Sequence, residues 1–134
     1  MGYVMADIAM RNPRLDDLKP IHVTARVDTG ALTLCIPEHV AVQLKLELGT
    51  MREVTTADGR KHMVPYAGPI EVVFENRNCF VGALVIGDEV LLGAVPMEDM
   101  DLVVIPGQRK ATVNPQSPNF PQALVKRLGM ERNR

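Results

Sequence analysis

The 134-residue sequence has no tryptophan and only three phenylalanines and two tyrosines, so any core must be built from aliphatic side chains. It holds just two cysteines, Cys35 and Cys79, each inside an apolar run. No Cys-x-x-Cys pair and no Cys/His ligand spacing is present, which removes the usual sequence basis for a metal site. No metal and no cofactor is expected. The cysteines read as buried thiols, with a disulfide left open. No stretch approaches the length of apolar chain that spans a bilayer, so no membrane association is expected. The opening MGYVMADIAM lacks a basic n-region and is interrupted by Asp7, unlike a signal peptide. Ala6 stands where a myristoylation pattern needs Ser or Thr. A cytoplasmic protein is the resulting expectation. Net charge is only -1, which gives no electrostatic case for nucleic acid. Gly-rich phosphate loops, a Ser-His-Asp order and basic-aromatic interleaving are all missing. His22, His39 and His62 have no ligand spacing and read as surface residues.

What is present fits one domain with a single core. Apolar residues make up 46% of the chain and charged residues 23%, close to the globular average. Residues 107–134 carry a charge of +5, leaving -6 for residues 1–106. Strands are expected over residues 3–10, 21–27 and 31–36. In the second, Ile21, Val23, Ala25 and Val27 alternate with His22, Thr24 and Arg26. Pro37 opens a short helix, PEHVAVQLKL, with Glu38 at its positive end. Two strand-like runs follow, Met51 to Thr56 and Lys61 to Phe74, the latter interrupted by Pro65 and Gly68-Pro69. Asp58-Gly59 between them is a strong hairpin signal. Residues 79–86, CFVGALVI, are apolar on both faces, which places this strand centrally. Val90-Leu91-Leu92-Gly93, a short helix around Pro96 and a strand from Leu102 to Ile105 complete this part. Beyond Pro106-Gly107, NPQSPNFP is too proline-rich for regular structure, and Pro121 to Leu128 is expected to form a small helix. Many short strands with regular turns and one or two minor helices predict an all-β barrel or sandwich.

One short stretch carries chemistry. ARVDTGALTLCIP places Asp28-Thr29-Gly30-Ala31 between two apolar strands. Asp supplies a titratable carboxyl, Thr a hydroxyl and Gly a close backbone approach that leaves amide groups free to face the carboxylate. Asp and Gly are also ordinary turn residues. With the Asp-Gly hairpin about thirty residues on and Leu91-Leu92-Gly93 farther on, in this order and spacing, the sequence resembles the retropepsin-like aspartic proteases, meaning the retroviral proteases and their small bacterial single-domain relatives. The resemblance covers about residues 3 to 106. It implies a small closed all-β acid-protease barrel. In it, Asp28-Thr29-Gly30-Ala31 match the active-site motif, Thr55 to Lys61 match the hairpin that closes over substrate, and Leu91-Leu92-Gly93 match the hydrophobic-hydrophobic-Gly element packed beside the active-site loop.

The resemblance further implies aspartic endopeptidase activity on polypeptides. Two carboxylates share one proton, one acting as base on the attacking water and the other protonating the peptide carbonyl. This chain has one Asp-[Thr/Ser]-Gly and is too short for two lobes. The chemistry therefore requires a homodimer in which Asp28 of each subunit meets on the two-fold axis. Asp28, Thr29 and Gly30 are the expected catalytic residues. Ala31, Thr56, Ala57, Asp58, Gly59 and Arg60 are the expected substrate contacts. Ala31 lacks the hydroxyl of pepsin-like enzymes, so a less acidic optimum than pepsin's, on the order of pH 5–6, is expected. Retroviral enzymes pair an Asp after this motif with an Arg after the hydrophobic-hydrophobic-Gly element. Leu32 and Ala94 stand there instead, so both partners are replaced together and a different interface is expected. The charged tip Ala57-Asp58-Gly59-Arg60 is expected to be stiffer than a Gly-rich one. Ala111-Thr112-Val113 is a candidate to pair with Met1 to Met5. The expected division is a protease domain over residues 1–106 and a Pro-rich basic extension over residues 107–134. The alternative is a non-catalytic retropepsin-like module that binds peptides or proteins, with Asp28 as a turn residue. A small-molecule-binding barrel has little support, because no set of polar pocket residues stands out.

Overall fold

The computed structural model describes residues 3–125. Strand β1 (Met5–Arg11) runs antiparallel to β2 (Ile21–Val27). The alternation in β2 separates exposed His22 and Thr24 from half-buried Ile21 and Val23 and from Ala25, which is fully buried. After a loop come β3 (Leu34–Ile36) and helix α1 (Glu38–Gln43), whose Val40 and Ala41 face the core. The helix ends where Asn12 Nδ2 donates to the carbonyl of Leu44 at 2.9 Å, closing a buried backbone group with a distant side chain. β4 (Leu48–Thr55) and β5 (Lys61–Phe74) form a long hairpin, and β6 (Arg77–Val85) continues from β5. The two-residue β7 (Leu91–Leu92), helix α2 (Ala94–Asp99), β8 (Leu102–Ile105), a single 3-10 turn and β9 (Lys110–Val113) follow.

The order β4-β5-β6-β3-β7-β2-β1-β9-β8, with a further β5–β1 pairing, closes a ring of six strands: β5, β6, β3, β7, β2 and β1. Ring closure removes the free edges that an open sheet would leave on these strands. β4 remains attached outside the ring, on β5 alone, and β9 with β8 extends from β1. Met10, Leu34, Ile36, Ile70, Val72 and Leu92 fill the interior with essentially no exposed surface. This is the aliphatic core that the scarcity of aromatics dictates. β6, apolar on both faces, lies between β5 and β3, as its pattern predicts.

Several elements depart from the sequence reading: β4 begins at Leu48 rather than Met51, and α1 ends at Gln43, short of the expected PEHVAVQLKL. β5 is one strand of 14 residues rather than an interrupted run, because Pro65 is accommodated within the β4–β5 pairing and a register shift between Ala67 and Ile70 absorbs Gly68-Pro69. β3 begins at Leu34 rather than at residue 31, since residues 31 and 32 spend their carbonyls on Ala94 and Val95. Residues 121–125 have no regular structure, and the rest of the expected helix lies outside the described residues. Both cysteines are free and buried. Burial, with Asp99 and Glu71 nearby, pushes the Cys79 thiol up to about 12. Burial and then Asp28 raise that of Cys35.

The chain beyond Ile105 is tied into the same body. β9 pairs antiparallel with β8, and Met5 pairs with Lys110 in a short parallel contact. The contact falls on Lys110, one residue before the expected Ala111-Thr112-Val113, whose partners among the described residues lie on β8 instead. Asp101 then gathers the following segment: its carboxylate accepts from Ser117 Oγ at 2.5 Å, from the Gln122 amide at 2.9 Å and from Asn114 Nδ2 at 3.1 Å. These bonds hold the Asp101 carboxyl below its ordinary range. Asn76 Nδ2 donates to the Pro118 carbonyl at 2.9 Å. Arg77, whose side chain is wholly buried, donates to the Ser117 carbonyl. Its Nε and Nη1 have no partner among the described residues.

Candidate active site

The Asp28 loop is set by the barrel rather than by its own turn. β2 ends at Val27, and the Asp28 amide donates to the Leu92 carbonyl at 3.0 Å. Ala31 then donates its amide to the Asp28 carbonyl at 3.0 Å, closing the turn. On the far side of the loop, Ala94 and Val95 amides donate to the carbonyls of Ala31 and Leu32 at 2.9 and 2.8 Å. The segment from Leu92 to Val95 therefore brackets Asp28 to Leu32 from both ends. Gly93 permits this approach: a Cβ there would overlap the carbonyl oxygens of Thr33 and Ala31. Thr33 is buried and fixes the loop's exit by donating Oγ1 to the Gly82 carbonyl at 3.1 Å.

The Asp28 carboxylate accepts one bond within the loop, from the Gly30 amide at 3.0 Å. It is half-buried, while Thr29 and Gly30 beside it are exposed. Leu32 is 71% exposed and Val95 42% exposed, so the same face of the molecule carries a carboxylate and two uncovered aliphatic side chains.

A groove of about 1020 Å³ joins this loop to the β4–β5 hairpin. Asp28, Gly30, Ala31, Thr56 and Ala57 all line it. Thr29 is exposed and does not line it, and Asp58, Gly59 and Arg60 form the hairpin tip without lining it. The structure thus brings together five of the nine expected site residues in one cleft. Leu84, Ile86, Val81, Phe80 and Leu91 contribute an apolar floor, and Tyr66 and Arg52 a side wall. Of these, only Leu91 stands out in the sequence, because an apolar strand gives no sign of which residues line a cleft.

The tip is closed by its own side chains. Thr56 Oγ1 donates to Asp58 Oδ1 at 2.6 Å, and the Arg60 amide donates to the same oxygen at 3.0 Å. The Thr56 amide reaches the Arg60 carbonyl at 2.9 Å, and Gly59 takes φ 85°. The Thr56 hydroxyl and then the Arg60 amide hold the Asp58 carboxyl below its ordinary range. The stems differ: nearly every residue of β4 is exposed, including Leu48 and Met51. Among the described residues no group of His, Cys, Asp and Glu is placed to hold a metal ion, and no helix is long and apolar enough to cross a membrane.

A six-stranded closed barrel with an Asp-Thr-Gly loop between β2 and β3, bracketed by a Leu-Leu-Gly segment and facing a long hairpin, is the arrangement the resemblance implies. The fold is retropepsin-like. No protein-family model matches the chain, and no curated protein matches it. Solved structures similar to it include the protease of simian foamy virus (17% identity over 69% of this chain and 90% of that one, TM-score 0.44). A Legionella pneumophila protein of unknown function is 13% identical over 74% of this chain and 87% of that one, with TM-score 0.43. A retropepsin-like aspartic protease from Rickettsia conorii is 19% identical over 69% of this chain and 80% of that one, with TM-score 0.37. These superpositions are loose, and the description of the fold stands on the chain's own strand order.

Proposed function

We propose that the protein is an aspartic endopeptidase that works as a homodimer on extended polypeptides. The observation that carries this reading is the shared groove: a half-buried Asp28 on a loop tied by backbone hydrogen bonds to Leu92, Ala94 and Val95, an apolar floor and a hairpin wall line one cleft. One chain supplies one such carboxylate, and general acid–base hydrolysis of an amide at two carboxylates needs a second. A second copy placed against the Asp28 face supplies it. Exposed Leu32 and Val95 support that contact, since an isologous interface would cover them with their own symmetry mates.

In the dimer, one Asp28 takes a proton from the water that attacks the peptide carbonyl carbon. The other protonates the carbonyl oxygen, giving a neutral tetrahedral diol. Its collapse breaks the C–N bond, with a proton passed to the leaving amine. Thr29 would hold the two loops together, and Gly30 would orient its own Asp28 through the amide. Thr56 and Ala57 would cover the substrate backbone from above, with Asp58, Gly59 and Arg60 shaping the tip.

Incubation of the protein with unfolded polypeptides from about pH 3 to about pH 7, beside Asp28→Asn, tests this reading. Cleavage by the native chain and none by the variant is expected; equal cleavage by both removes the assignment. The second reading, a binding module that does not cut, is favoured by the side-chain closure of the hairpin tip, which resists reshaping around a substrate. A strictly monomeric solution mass at high concentration, with peptide binding retained, would select it.

A further inference from the structure

Arg52 stands in the groove wall in a way that its sequence position does not announce. From the end of β4 into the tip, Val54 and Thr56 are half-buried while Glu53 and Thr55 are exposed. Strand alternation puts the Arg52 side chain on the same face as Val54 and Thr56, and the neighbouring Glu53 and Thr55 also line the groove. Arg52 is directly opposite Val64 in the hairpin, so Tyr66 is its diagonal neighbour. The guanidinium lies over the Tyr66 ring, 3.8 Å from its centroid. The ring in turn rests on Gly82 of β6, where a Cβ would overlap it.

This stack orients a guanidinium whose N–H groups make no side-chain hydrogen bond or ion pair among the described residues. Stacking occupies the face of the guanidinium, and the N–H groups in its plane remain available for a bidentate carboxylate. Tyr66 and Gly82 line the groove beside it. The position is also set along the strand: Arg52 lies four residues before Thr56, or about 13 Å at strand rise.

We propose that Arg52 is a specificity-determining residue that selects polypeptides carrying an acidic side chain at one position along the groove shared with Asp28. This deepens the peptide-binding reading of the groove and rests on it. The apolar floor accepts side chains near Asp28, and the Arg52–Tyr66 stack reads a carboxylate farther along. The pairing is solvent-accessible, so the expected selectivity is modest, about fivefold, and declines with added salt.

The test uses fluorescein-labelled short peptides with an apolar centre and a single Glu moved one position at a time, each matched to a Gln twin. Kd is read by anisotropy on the full chain and on Asp28→Asn, and cleavage is read separately. At one position the Glu peptide should bind about fivefold tighter than its Gln twin. Arg52→Gln should abolish that ratio, Arg52→Lys should keep part of it, and Arg52→Glu should invert it toward a Lys peptide. Thermal melting of each variant separates loss of recognition from loss of fold. Equal Kd for Glu and Gln twins at every position overturns the inference, as does a preference that survives in Arg52→Gln. Preferential binding without cleavage of any peptide supports Arg52 and overturns the endopeptidase reading. Binding of no peptide overturns both.

Discussion

The two sides of the groove are built in opposite ways. The Asp28 loop is a short segment with little side-chain contact of its own, held by four backbone hydrogen bonds to Leu92, Ala94 and Val95 and within the loop. The β4–β5 hairpin is long, paired with the ring only through β5, and exposed along nearly all of β4. Its order is local, concentrated in the tip bonds of Thr56, Asp58 and Arg60. The contrast teaches where a change should be felt. A disturbance under Asp28 propagates into the closed barrel, whereas one at the tip stays in the hairpin.

Gly93→Ala probes the first region hardest. The new methyl overlaps two carbonyl oxygens that cannot move independently of the loop. A loss of about 3 kcal/mol in denaturant unfolding is expected; a change within about 0.5 kcal/mol would break the claim that the bracket is rigid. Arg77→Ala comes next. It removes a wholly buried side chain and leaves the Ser117 carbonyl without its donor, for a loss of about 2 kcal/mol and faster exchange at Ser117 and Gln122. Arg77→Met sharpens this, because the two unpartnered nitrogens disappear while much of the volume remains. It should be clearly milder than Arg77→Ala.

The hairpin side should respond weakly in stability and clearly in local order. Thr56→Ala is expected to change global stability by less than about 0.5 kcal/mol while speeding amide exchange at Arg60. Acid should do the same without mutation. The Asp58 carboxyl is depressed in the folded state from its ordinary 3.8, so the tip contribution is present above that value. It disappears as pH falls through the lower folded-state value. Arg60 protection that stays flat across that acid window would show that Asp58 does not close the tip.

The parts of the fold that follow from periodicity were legible. β2 appears with the expected bounds, β8 likewise, and Asp58-Gly59 turns a hairpin. Asp28 and Leu91-Leu92-Gly93, widely separated in sequence, are adjacent in space, which came from the resemblance and not from any local pattern. Other features had no local signature. The continuity of β5 depends on a register shift against β6, a property of the pair rather than of Gly68-Pro69. The burial of Arg77 depends on a segment forty residues later closing over it. Arg52 looks like any charged residue on an exposed strand until Tyr66 and Gly82 are placed beneath it. Each is a tertiary relation, and a one-dimensional pattern does not contain it.

The central claim is that one active site needs Asp28 from two chains. It is tested by adding increasing amounts of Asp28→Asn protein to a fixed amount of the native chain, allowing exchange, and measuring peptide cleavage per native chain. With a shared site, an equal amount of the variant should reduce that rate by about half, because half of the native chains then face a partner without the carboxylate. A rate per native chain that does not change with added variant would contradict the account.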